Sequence, residues 1–297
     1  MVCNRKTGEG MKELVIISGK GGTGKTTVTA SLAALLKKAV LTDCDVDAAD
    51  LYLILKPEIK QTFEFWGSKR ARINLTKCTR CGKCVEVCRF DAITNYKVSE
   101  HFCEGCQVCY NICPEKAIDL IDNLSGHWYI SDTRYGPMIF AKLGIAEENS
   151  GKLVAVVRKA AKEIAERNGY DYIITDGPPG IGCPVISALS GADTALVITE
   201  PTVSGKHDLD RVIRLSKNFK VKVKVIINKY DISLRKSFEI EKYCNNIGIE
   251  VIGKIPFDED VVKSIAKGTP LVEFSRGPAA NALTDIAERL IDICSLQ

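Results

Sequence analysis

No stretch of this 297-residue chain is apolar over the ~18 residues that a membrane-crossing helix requires. The first ten residues are polar and lack the apolar centre of a secretory leader, so the chain is expected to be cytoplasmic. Large charge is missing too. The 41 Lys and Arg are nearly balanced by 37 Asp and Glu, and the net +4 is too small to point to nucleic acid. The closing segment Glu288-Arg289-Leu290-Ile291-Asp292-Ile293-Cys294 lacks the basic face with which an amphipathic helix settles on a membrane surface. Neither nucleic acid nor membrane is expected as a partner.

What remains is a 45% hydrophobic chain with ample material for a buried core, enough for one large or two modest domains. Strand-like runs occur at 14–18, 40–43, 172–176, 195–199, 223–228 and 250–254. Helical patterns lie between most of them, as at 153–168 and 207–218. That alternation predicts an α/β fold, a mostly parallel sheet with helices on both faces. The stretch 278–296 predicts a closing amphipathic helix with Leu283, Ile286, Leu290 and Ile293 inward.

The segment Gly19-Lys20-Gly21-Gly22-Thr23-Gly24-Lys25-Thr26-Thr27 satisfies G-x-x-x-x-G-K-[ST] between a buried strand and a helix, the context a phosphate loop requires. Its glycines let backbone N–H groups converge on phosphates, helped by the helix N-terminus. Lys25 is expected to neutralise the β and γ phosphates and Thr26 to bind Mg²⁺. The runs 40–45 and 172–180 end in Asp43, Asp45 and Asp176, and carboxylates at strand C-termini face the same crevice as the loop. For Asp43 or Asp47 a helix cap is an equally plain role.

Eight of the 13 cysteines fall in two copies of one pattern, Cys78-x2-Cys81-x2-Cys84-x3-Cys88 and Cys103-x2-Cys106-x2-Cys109-x3-Cys113. Ala92-Ile93 and Ala117-Ile118 repeat behind them, as an internal duplication would. Structural zinc normally uses two separated Cys-x2-Cys pairs, which these packed runs fit poorly. Disulfides fit a reducing compartment worse.

The runs resemble the ligand set of a bacterial-type two-cluster ferredoxin, in which the fourth cysteine of each run serves the other cluster. That resemblance implies one [4Fe–4S] cluster on Cys78, Cys81, Cys84 and Cys113 and a second on Cys103, Cys106, Cys109 and Cys88, with a [3Fe–4S] form left open. Arg89 stands where a proline often follows, with no ligand lost. The implied arrangement is a leader over 1–10, a phosphate-loop domain over 11–64, an inserted small α+β ferredoxin domain over 65–122, and the rest of the phosphate-loop domain over 123–297.

The loop, with its early Lys20, resembles the deviant Walker A of the MinD/ParA superfamily, which includes the nitrogenase iron protein and Mrp-type ATPases. The resemblance implies that Lys20 reaches a partner's nucleotide across a homodimer. Asp45 is then the switch I residue that orients water, Asp176 the Walker B carboxylate, and Asp43 a Mg²⁺ ligand through water. Asn228, Pro256 and Asp258 fall on the adenine side, although Asn228-Lys229-Tyr230-Asp231 alone also resembles a guanine-reading motif. ATP is favoured over GTP on the resemblance. The implied activity is ATP hydrolysis.

Three roles follow. The first couples the ATP-driven dimer to electron transfer through the clusters toward an unidentified redox partner. The second is a metallocofactor assembly or carrier ATPase with a cofactor-assembly partner, and the third a spatial-positioning ATPase. Lys69, Arg70, Arg72, Lys77, Arg80, Lys83 and Arg89 crowd the first cysteine run, suiting either an acidic partner or compensation of an anionic cluster. Cys183 follows switch II; a buried structural thiol is expected there ahead of a dimer-interface ligand. Cys3, Cys44, Cys244 and Cys294 are expected to be ordinary thiols.

Overall fold

The computed structural model describes the backbone of residues 11–144 and 150–295 and side chains through residue 291. The expectations for Met1 to Gly10, Cys3, Ile293 and Cys294 lie outside that description.

The first half of the chain forms β1 (Lys12–Ser18), α1 (Lys25–Leu35), β2 (Ala39–Asp43), α2 (Leu51–Leu55) and the long β3 (Glu58–Ile73). A cysteine-rich tip follows with α3 (Lys83–Glu86), β4 (Ile93–Thr94), β5 (Lys97–Val98) and α4 (Val108–Ile112). The chain returns through β6 (Ile118–Thr133) and β7 (Gly136–Leu143) to α5 (Ser150–Asn168), β8 (Tyr172–Pro179), α6 (Cys183–Leu189) and β9 (Thr194–Thr199). It closes with α7 (Val203–Asn218), β10 (Lys222–Asn228), α8 (Leu234–Asn246), β11 (Glu250–Ile255), α9 (Asp260–Lys267), α10 (Leu271–Phe274) and α11 (Pro278–Ser295).

One nine-stranded sheet runs in the order β11-β10-β9-β1-β8-β2-β7-β6-β3. Pairing is parallel from β11 to β7, while β6 and β3 add antiparallel strands at one edge. Side chains along β1 alternate between two cores. Leu14 and Ile16 pack with Val28 and Leu32 of α1, Leu51 of α2, Leu271 of α10, and Leu283, Ile286 and Leu290 of α11. Val15 and Ile17 pack with Leu153 of α5, Val185 of α6, Leu209 of α7 and Ile240 of α8. Both faces are covered, which is why the parallel strands are apolar at nearly every position.

β3 and β6 pair along their whole length, with register breaks at Ile59/Gln61, Phe65/Trp66 and Trp66/Ser68. β7 backs β6 only from Gly126 to Thr133. Past Gly126 the two strands continue as a ribbon that carries the tip, so the stretch 65–122 begins inside β3 and ends inside β6. The tip has its own small core of Ala71, Cys84, Ile93, Cys109 and Ile118.

Candidate functional site

The phosphate loop follows directly from β1. Ser18 Oγ donates to the Lys20 carbonyl at 2.6 Å, folding the chain back. Gly22 and Gly24 take φ of 75° and 93°, the left-handed region that glycine enters at little cost. A Cβ on Gly24 would stand 2.5 Å from the Asn228 amide, and Asn228 Nδ2 donates to the Thr23 carbonyl at 2.8 Å. The other end of the loop backs on α7, where a Cβ on Gly19 would meet Asp208. Gly21 faces open space. Thr23 Oγ1 is buried with no hydrogen-bond partner among the described residues. Lys25, Thr26 and Thr27 open α1, with Lys25 almost fully buried.

Sheet order brings the carboxylates to this loop. β8 lies between β1 and β2, so Asp176 pairs in register with Ile16 on one side and Asp43 on the other. Asp176 Oδ1 accepts from Thr29 Oγ1 at 3.0 Å. Burial raises the Asp176 pKa to about 6, against the pull of Lys25 and of the Thr26 and Thr29 hydroxyls. Asp45, half-buried, lies 3.8 Å from Lys25 Nζ. Burial raises its pKa too, while Lys25 holds it down. Asp43 is fully buried and its two oxygens accept from Asp45 N (3.1 Å) and Leu51 N (3.0 Å). Burial, then Asp176, push its pKa well up. Asp43 thus braces the turn that presents Asp45.

On the expected base side, the Asn228 amide is engaged at both ends, since its Oδ1 accepts from Lys229 N at 2.9 Å. Asp231 Oδ1 accepts from Phe257 N at 2.7 Å, beside Pro256. Asp258 accepts from Asp260 N (2.9 Å) and Ala279 N (3.3 Å), tying the start of α9 to that of α11. Sequence reasoning passed over Glu200, which stands between Lys20 and Lys229 with its carboxylate 3.4 Å and 2.8 Å from their ammonium groups.

The eight cysteines separate into two cavities. Cys78, Cys81, Cys84 and Cys113 line one with Ile73, Tyr96 and Ile118. Cys88, Cys103, Cys106 and Cys109 line the other with Phe90, Ile93 and Leu120. The duplication is written in the backbone. Positive φ recurs 25 positions apart at Arg80 and Gly105, Gly82 and Gln107, and Asp91 and Lys116. Exposure repeats as well: Cys81 and Cys106 are exposed, Cys84 and Cys109 buried. Cys88 Sγ accepts from Ala92 N (3.4 Å) and Cys113 Sγ from Ala117 N (3.3 Å). Burial, then neighbouring cysteines, raise the pKa of Cys84 and Cys109. Among the described residues, no group of three or more His, Cys, Asp or Glu is arranged to hold a metal ion.

Cys183, expected to be buried, is exposed at the first turn of α6. Its helix starts at the surface, so packing does not cover the thiol. Cys44 and Cys244 are buried free thiols.

The model of the CobQ/CobB/MinD/ParA nucleotide binding domain matches residues 14–271. The chain belongs to this family. A protein of Methanocaldococcus jannaschii without an assigned function is 37% identical over 94% of this chain and 96% of its own length. The septum site-determining protein MinD of Buchnera aphidicola subsp. Baizongia pistaciae is 26% identical over 94% of this chain and 91% of its own. The structure of MinD from Pyrococcus horikoshii in complex with Mg-ADP superposes with a TM-score of 0.60 at 21% identity, covering 96% of this chain and 98% of that one. This MinD/ParA-family member is a P-loop ATPase.

These matches correct the leading functional expectation. Curated relatives that span nearly the whole chain include septum site-determining proteins, and none of these matches supports the electron-transfer role expected from the sequence. They place the chain with MinD and ParA, and carry no specific tie to Mrp-type or nitrogenase iron proteins. The matched stretch includes the cysteine-rich tip, and none of these matches names an inserted ferredoxin domain. No helix among the described residues is long and apolar enough to cross a membrane.

Proposed function

We propose that this chain is a positioning ATPase of the MinD and ParA kind. Binding ATP joins two copies into the form a partner protein recognises, and hydrolysis separates them. The observation that carries this is the grouping of Lys25, Asp45 and Asp176 around the loop that bears Lys20, in a chain that a septum site-determining protein matches over 94% of its length. Thr26 and Asp176 offer the hard oxygen donors that suit Mg²⁺, whose charge would offset that of the phosphates. Loop N–H groups and Lys25 hold the β and γ phosphates, and Lys20 reaches the nucleotide of the second copy. Asp45 orients the water that attacks the γ phosphorus. The bond to the β-phosphate oxygen breaks, giving ADP and phosphate, and the Asp45 turn loses its anchor. Light scattering with a non-hydrolysable ATP analogue tests this: wild type should double in mass and Lys20→Ala should stay monomeric. A Lys20→Ala chain that dimerises like wild type would sink the reading.

We further infer that the tip is a ferredoxin-like insert carrying two [4Fe–4S] clusters. Four thiols facing each cavity, with no three of them closing on one ion, suit a cofactor wider than a zinc ion. The N–H groups of Ala92 and Ala117 supply donors to thiolate sulfurs. When bound, the clusters would stabilise a tip whose own core is too small to hold it firmly. Anaerobic reconstitution with iron and sulfide should load roughly eight iron atoms per chain, and Cys84→Ser together with Cys113→Ser should lose about half. Uptake of zinc alone, with no iron, is the result that excludes clusters.

A further inference from the structure

Three neighbouring strand ends line up a lysine, a carboxylate and a lysine. β9 lies between β1 and β10, with Ser18 in register with Ile198 and Ile227 with Thr199. Lys20 follows β1, Glu200 follows β9 and Lys229 follows β10. Glu200 Oε2 is 3.4 Å from Lys20 Nζ, and its Oε1 is 2.8 Å from Lys229 Nζ. The carboxylate is only 14% exposed, against 36% and 35% for the two lysines.

Its surroundings fix Glu200 in place. Thr202 Oγ1 accepts from Gly205 N at 2.9 Å and so caps α7, while Thr199 Oγ1 donates to the Gly205 carbonyl at 3.1 Å. Gly205 sits so close that a Cβ would stand 2.3 Å from the Glu200 carbonyl oxygen. Lys229 is held by the bond from its own N–H to Asn228 Oδ1, in the left-handed region at φ 52°. The backbone that carries Glu200 and Lys229 is therefore held, while Lys20 sits on the phosphate loop.

We propose that Glu200 is a positioning residue that holds Lys20 within its own chain, and that Lys229 sets the strength of that hold. This rests on the reading that Lys20 must reach a partner's nucleotide. An ammonium paired with Glu200 cannot also extend across a dimer, so joining two copies includes breaking the pair. Lys229 shares the same carboxylate and weakens its grip on Lys20. The row thereby sets the nucleotide concentration at which two chains join.

The experiment is light scattering against a titrated non-hydrolysable ATP analogue, with melting temperature as the folding control. Glu200→Gln should lower the concentration for half-maximal dimer by about threefold, the size expected for a partly exposed ion pair. Lys229→Asn should raise it by about twofold, because Glu200 then holds Lys20 alone; asparagine tolerates the left-handed backbone there. The double variant should follow Glu200→Gln. A purely structural Glu200 would weaken the dimer in both single variants. If Glu200→Gln lowers the melting temperature markedly, Glu200→Asp, which draws the charge back from Lys20, replaces it. A midpoint unchanged or raised in the Glu200 variant overturns the proposal while leaving the dimer reading intact, provided Lys20→Ala stays monomeric. Dimerisation of Lys20→Ala at the wild-type midpoint removes both.

Discussion

Asp176 is buried at the end of β8 with a second buried carboxylate, Asp43, in register beside it. Burial raises its pKa from 3.8 to about 6, so the folded chain binds this proton more tightly than the unfolded chain does. Stability is then greatest at low pH and declines as pH rises through that window, and at neutral pH the full cost of a buried charge is present. Removing the charge should relieve it. Asp176→Asn is expected to raise the melting temperature at pH 7.5 by about 2–4 °C, equivalent to about 1 kcal/mol. The same change should lower Mg²⁺-dependent ATP hydrolysis by about 10–100-fold. Calorimetry and phosphate release on one sample check both. A loss of stability would mean that the Thr29 hydrogen bond to Asp176 outweighs the desolvation of its charge.

At the scale of elements, legibility in the sequence followed locality. β1, β2, β8, β9, β10 and β11 stand out because strands covered on both faces are apolar at consecutive positions, as in Leu14-Val15-Ile16-Ile17. The phosphate loop is legible because its glycines and lysine act through adjacent backbone. β3 was hidden. Its start, Glu58-Ile59-Lys60-Gln61-Thr62, is exposed at every position, and the strand exists because β6 pairs with it across the tip. Glu200 was hidden for a similar reason, since its two lysines meet it only once β9 is placed between β1 and β10. Asp258, expected on the base side, also ties two helix starts together, which is not legible in the sequence because α9 and α11 meet only in the fold. The assignment of Cys113 to the first set and Cys88 to the second came from the ferredoxin resemblance, and the same two groups line the two cavities.

At the scale of the whole molecule, strands from before and after the tip interleave in the order β9-β1-β8-β2-β7. β1 and β2 cannot leave without dismantling both main cores, so the body does not depend on chain continuity through the tip. The tip hangs on its ribbon with a separate small core. Gly105 is its tight point, at φ +64°, where a Cβ would stand 2.1 Å from the Lys69 carbonyl oxygen. Gly105→Ala is therefore expected to push the second cysteine loop off β3 and open the tip. Trypsin should then cut at the exposed Arg80, Lys83 or Arg89 much faster than in wild type. The fragments should co-elute on gel filtration, and ATP hydrolysis should stay within about twofold of wild type, as for local opening confined to one cooperative unit. Separation of the fragments, or loss of hydrolysis along with the tip, would show that the ribbon transmits its state to the nucleotide site and that tip and body form one unit.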